Sequence, residues 1–113
     1  MTPEAIDGFC LSLPAATMNV QWGVDQVYKV GGKMFAVLGP GGTLSFKAGD
    51  VAFEMLTEIG VGRPAPYMAR ARWVFLDDPS ALDEPDLRHY LKTAHELTAA
   101  KLTRKQRAEL GLG

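Results

Sequence analysis

The chain has 113 residues, 47% hydrophobic and 22% charged, which fits one compact domain over residues 1–113 and leaves no room for a second. A formal net charge of −1 excludes any argument from global charge for or against a polyanionic partner, so an electrostatic case has to come from where the charges lie. The single cysteine, Cys10, excludes an internal disulfide, and no run approaches the ~18 apolar residues of a membrane span. Acids appear early at the N-terminus, with no basic and apolar leader pattern, so the expected compartment is the cytoplasm.

Thr2 followed by Pro3 has the form of a helix N-cap with proline in the first turn. Ile6, Phe9, Cys10 and Leu13 then recur at helical spacing, which predicts a helix ending before Pro14. From Gln21 the pattern changes to the Val, Tyr, Phe and Trp of "QWGVDQVYKV" and "KMFAVL", joined by Gly31-Gly32, the composition of a two-residue hairpin turn. "GPGG" at 39 to 42 separates "KMFAVL" from "TLSFK", so three or four strands follow one another in antiparallel succession. Asp50 is placed to cap a short helix, "VAFEMLTEI", with Ala52, Phe53, Leu56 and Ile59 on its apolar side. Gly60, Gly62, Pro64 and Pro66 end that helix in a loop, after which "ARARWVFL" reads as a strand. A last helix starts at an Asp83 cap, with Leu82 and Leu87 as a hydrophobic staple and Leu87, Tyr90, Leu91, Ala94 and Leu97 as its buried stripe. The order predicts an α+β fold, a two-layer sandwich with helices on one face of an antiparallel sheet, in the sequence α-β(3-4)-α-β(1-2)-α. The other sheet face is expected to meet solvent.

The charges are unevenly spread. Residues 77 to 86 hold Asp77, Asp78, Asp83, Glu84 and Asp86 and no base, whereas residues 101 to 107 hold Lys101, Arg104, Lys105 and Arg107 and no acid. "RPAPYMARAR" carries Arg63, Arg70 and Arg72 with no acid among them. On a strand from 70 to 76, Arg70 and Arg72 would share a face, and their planar donor forks match paired phosphate oxygens. The same arginines could instead pair with Asp77, Asp78 or Glu58 on a solvated surface. Lys29 and Lys33 flank the Gly31-Gly32 turn and Lys47 could join their field, although lysines there also serve to keep a hairpin edge from pairing with other chains. Tyr67 and Trp22 are candidates to stack on bases, against the usual place of such residues in a core. The tail "KLTRKQRAEL" suits the C-terminal end of a helix dipole.

Signals for catalysis are missing. His89 and His95 lie six apart on one helix and face different directions, and Cys10 has no histidine near it in sequence. "GPGG" lacks the lysine and hydroxyl of a phosphate-binding loop, and "GVGRPA" does not fit a dinucleotide fingerprint. Three of the acids from Asp77 to Asp86, namely Asp83, Glu84 and Asp86, already have a capping or dipole role at the last helix, so no catalytic residue, metal ligand or cofactor is assigned.

Taken in order, "FCLSLPAAT…W", "KVGGKMFAVL", "SFKA", "RPAPYMARARWVFLD" and "AHELTAAKLTRKQRAEL" together resemble the MmcQ/YjbR-like family of small bacterial domains. The resemblance runs from Phe9 to about Leu110. It implies a two-layer domain with an antiparallel sheet, similar to frataxin-like and secretion-chaperone-like folds. It also implies a DNA-binding role, because the family's two hairpins have been likened to a double-wing arrangement. The chain departs from the common pattern at "MNV" after Thr17, where an acid is usual, and at His95, where a tyrosine is frequent. Together with the acid-free arginine segment, the resemblance makes a non-enzymatic DNA-binding domain the leading expectation, with Arg63, Arg70, Arg72, Lys29, Lys33, Lys47 and Tyr67 as contacts. DNA is the expected partner, no membrane is expected, and the chain is read as a monomer or weak dimer. The alternatives are a protein-interaction module resembling a secretion chaperone, using an exposed apolar sheet face, and an enzyme of unnamed type.

Overall fold

The computed structural model describes residues 1–66 and 68–113. Thr2 accepts a hydrogen bond from the Ala5 amide at 3.1 Å and so starts α1 (Pro3–Ser12), which stops short of Pro14. Four strands follow in a meander: β1 (Ala16–Gln21), β2 (Asp25–Val30), β3 (Lys33–Leu38) and β4 (Leu44–Lys47). The stretch expected to be one strand from Gln21 is instead the end of β1, a turn, and β2. Trp22 takes a left-handed φ of 53° and Gly23 one of 87°, which reverses the chain there. Gly31 and Gly32 adopt φ values of 58° and 80°, the left-handed pair that a two-residue hairpin turn requires.

The remaining elements are α2 (Asp50–Glu58), β5 (Arg63–Pro64), β6 (Trp73–Leu76), α3 (Glu84–Ala99) and α4 (Arg104–Glu109). The sheet has six strands in the order β1-β2-β3-β4-β6-β5, and each neighbouring pair is antiparallel. Helices pack on one face. Its core includes Ile6, Tyr28, Phe35, Phe46, Leu56, Val74, Leu87 and Leu91, all fully buried, each large apolar side chain contributing about 1.5 to 3 kcal/mol on removal from water. Leu87, Leu91, Ala94 and Thr98 recur on the buried side of α3, while Leu97 and Tyr90 are half-buried and Tyr90 stacks on Phe46 at 6.0 Å. His95 is buried too. Its Nε2 lies 2.7 Å from the Pro14 carbonyl and its ring meets Phe35 edge-on, which ties α3 to the end of α1.

Four expectations are corrected. First, the second sheet face is not left to solvent: Val27, Val37, Ala65 and Trp73 form a small buried cluster there, with Met34, Met68 and Phe75 packed around it. Its cover is the arginine segment itself, which is laid onto the sheet by bonds from the Ala65 amide to the Trp73 carbonyl at 3.0 Å and from the Trp73 amide to Met68 at 3.2 Å. Second, no strand begins at Arg70. Ala69–Ala71 make one 3-10 turn, Arg72 is left-handed at φ 60°, and β6 starts only at Trp73, so Arg70 and Arg72 do not alternate on a strand. Third, Gly49 at φ 85° is the N-cap of α2, and Asp50 occupies its first turn. Fourth, the basic tail does not continue α3. Thr103 and Gln106 form a capping box that starts α4 afresh, so Arg104 and Lys105 lie at the positive end of a helix dipole and not at the negative end. Among the described residues, no helix is long and apolar enough to cross a membrane.

Candidate functional site

Because every strand runs between the same two ends of the sheet, register places each charge. Lys47 pairs with Trp73, Val30 with Lys33, and the Ala48 amide donates to the Arg72 carbonyl at 2.9 Å, so Lys29, Lys33, Lys47 and Arg72 gather at one end, with Arg70 in the turn just before. At the other end lie the turns at 22–24 and 39–43 and the chain leaving β6, with Asp77 and Asp78. The 16 residues of α3 span about 24 Å and connect the two. Asp83, Glu84 and Asp86 lie at its start, on the Asp77 side. At its far end Leu102 packs against the β2–β3 turn, where a Cβ on Gly31 would come within 2.7 Å of the Leu102 methyls. The acidic run and the basic run of the sequence thus become opposite poles of one small domain.

The predicted contacts divide between them. Arg63 donates from Nε to Asp77 at 3.0 Å and from its terminal nitrogen at 3.2 Å, and its guanidinium lies 4.4 Å from the centre of the Phe75 ring. The hydrogen bond from Arg63 holds the Asp77 carboxyl below its usual range and pushes the guanidinium up. Its register opposite Phe75 sets it away from the lysines, toward the acidic pole. Arg72 is at the basic pole but bonds Asp50 at 3.0 Å and lies 5.0 Å over Phe53. Arg70 is exposed and has no carboxylate within 4.0 Å among the described residues. Lys29 is half-buried beside Thr17 and Met34, and Lys33 is exposed. Tyr67 lies outside the described residues. Trp22, 65% exposed, stands on the acidic side and is brought together with none of these.

One member of the basic pole has no local signal in the sequence. Lys47 lies beside Lys101, which arrives from beyond α3. That side-chain contact, in which only a neutral Lys47 amine could accept a hydrogen bond, is the largest cause holding the Lys47 pKa down at about 8, followed by desolvation and then by the charges of Lys101 and Lys33. Elsewhere, open hollows are formed among the described residues. One, about 240 Å³, is lined by Pro3, Glu4, Asp7 and Gln26. Nearby, the Tyr28 hydroxyl donates to Asp7 at 2.6 Å, and burial followed by that bond pushes its pKa up. Cys10 sits in the core, where burial and then the Asp7 charge push the thiol up to about 12, which keeps it neutral and unreactive. Another hollow, about 380 Å³, runs between the start of α2 and the flank of α3 carrying His89, Tyr90 and Leu97.

The same architecture occurs in the crystal structure of the Deinococcus radiodurans protein DR2400, a DUF419 domain, which superposes with a TM-score of 0.87 at 23% identity over 99% of this chain and 89% of that one. No curated protein matches the chain. The family model described as YjbR matches residues 11–97, from the end of α1 through most of α3, and the chain belongs to the YjbR family.

Proposed function

We propose that this protein binds nucleic acid, duplex DNA in the first instance, through the basic pole of its sheet. The observation that carries the reading is the segregation of charge along the strands: Lys29, Lys33, Lys47, Arg70 and Lys101 lie at one end, and the acidic run from Asp77 to Asp86 stands at the other. Such a molecule orients its cationic end toward a polyanion as it approaches. The glycine turn at Gly31-Gly32 lets the backbone come close to a phosphate chain between two lysines.

The arrangement differs from a pair of basic wings. The turns at 22–24 and 39–43 share one end of the sheet and carry neither lysine nor arginine, so the cationic contact is a single hairpin tip joined by Lys47, Lys101 and the Arg70 turn. On this reading Arg63 is engaged by Asp77 and contributes little, Arg72 is partly neutralised by Asp50, and Arg70 has no carboxylate partner among the described residues. Anisotropy of a labelled duplex across ionic strength tests it. Log affinity should fall linearly with log salt, and changing Lys29, Lys33 and Arg70 to glutamine together should flatten that slope by roughly 2 to 3 units. Arg63→Gln should leave it unchanged. Absence of binding at low salt rejects the reading.

A protein-interaction role is the second reading, on a different surface from the sheet face first expected. Val51, Met55 and Ile59 are 82%, 42% and 62% exposed and recur every four residues along α2 to its C-cap, and the first two line the larger hollow. A Met55→Glu variant that loses a nuclease-resistant complex while retaining DNA binding would support it.

A further inference from the structure

Three lysines are brought to the basic pole by three separate elements. Lys47 ends β4, Lys33 begins β3, and Lys101 follows α3. Their backbones are fixed independently of one another. Lys47 is held in the ladder opposite Trp73, Lys33 closes the hairpin opposite Val30, and Lys101 is positioned by Leu102 seated on the bare face of Gly31. No carboxylate lies within 4.0 Å of any of the three among the described residues. The negative end of the α3 dipole offsets only about half a charge, so the cluster carries a large uncompensated positive field around one point.

We propose that Lys47 and Lys101, with Lys33 beside them, bind a dianionic phosphate group, a phosphomonoester such as the 5′-phosphate at the end of a nucleic-acid strand. A backbone diester brings one negative charge, whereas a monoester brings about 1.5 to 2 at neutral pH and so matches the charge of two neighbouring lysines. Lysines act toward phosphate as compact point charges, and two of them sharing one group convert their mutual repulsion into two charge-assisted bonds. The bound anion favours the charged form of Lys47, so binding weakens above about pH 8 as that group loses its proton. The charged groups around it are Lys101 beyond α3, Lys33 on β3, and the Arg72–Asp50 pair between β6 and α2.

The inference deepens the nucleic-acid reading and rests on it for the source of the phosphate. The test uses the full chain and two labelled duplexes identical except for a 5′-phosphate. The phosphorylated duplex should bind about tenfold more tightly at low salt, the difference expected for one charge-assisted contact. A Lys47→Gln, Lys101→Gln variant, with folding checked by its melting curve, should lose that preference, binding both duplexes equally and more weakly than the unaltered chain because the two lysines also belong to the basic pole. Equal binding of the two duplexes by the unaltered chain, or a preference that survives the double change, overturns the phosphate site and leaves the nucleic-acid reading standing. If neither duplex binds, that reading fails, and titration with inorganic phosphate decides the site by itself. Saturable amide shifts around Gly31, Lys47 and Lys101 that vanish in the double variant uphold the site, and their absence overturns it.

Discussion

Replacing Leu91 with alanine is expected to lower the unfolding free energy by about 2 to 5 kcal/mol, the range for emptying a fully buried leucine site. Leu91 has no exposed surface and stands mid-way along α3, between Leu87 and Ala94 on the side turned to the sheet. Relaxation into the cavity is restricted because α3 is held along its length. The His95 ring is fixed to the Pro14 carbonyl, and Leu102 beyond the helix is pressed on Gly31. Such a loss corresponds to a fall in melting temperature of roughly 8 to 20 °C for a domain of this size. Val51→Ala, at a site 82% exposed, provides the control and should stay within about 0.5 kcal/mol. A Leu91→Ala protein that melts with the unaltered one would mean that another face of α3 is buried.

Trp73→Ala should cost about 3 to 5 kcal/mol and should act on a different part of the molecule. Trp73 is 4% exposed at the centre of the second-face cluster, and its carbonyl receives the Ala65 amide that anchors the arginine segment. Removing the indole takes away the surface on which residues 65 and 68 rest. Amide exchange should therefore quicken at Ala65 and Met68 well before it does in β2 and β3. A loss under about 1 kcal/mol, or uniform exchange throughout, would show that the second face is a surface and not a core. Arg63→Gln serves as a comparison, since exposed ion pairs contribute little to folding.

Elements whose signals are local were legible in the sequence. Thr2-Pro3 announces α1, Gly31-Gly32 its hairpin, and the Leu82/Leu87 spacing the start of α3. β1 was missed because it is an edge strand with only half-buried inward positions, and its neighbour Trp22 reads as strand material while taking a turn conformation. "ARARW" alternates as a strand would, yet the left-handed Arg72 interrupts it, a conformation that no glycine or asparagine marks. At the candidate site, sequence identified Arg70 and the hairpin lysines as basic residues without nearby acids. It could not foresee that Arg72 finds Asp50 across a turn, or that Lys101 meets Lys47, because both contacts form only when α2 and α3 dock. His95 likewise acts only in the folded chain, spanning from α3 to the Pro14 carbonyl.

The pairing of Lys47 with Trp73, and the bond from Ala48 to Arg72 beside it, mean that residues 48–72 depart from the β4–β6 ladder and return to it at one point. Topologically α2, β5 and the arginine segment are the loop of a single hairpin between β4 and β6. That loop passes from the helix layer, where Leu56 enters the larger core, around the short β5 edge to the opposite face, where Ala65 and Met68 close the smaller one. The entropy of closing such a loop rises only with the logarithm of its length, about 0.6 kcal/mol per doubling. Residues added at the exposed Gly60 turn would therefore change the reach of the excursion at little cost. The strand pairs from β1 through β4 to β6, and with them the positions of the poles, would stay where they are.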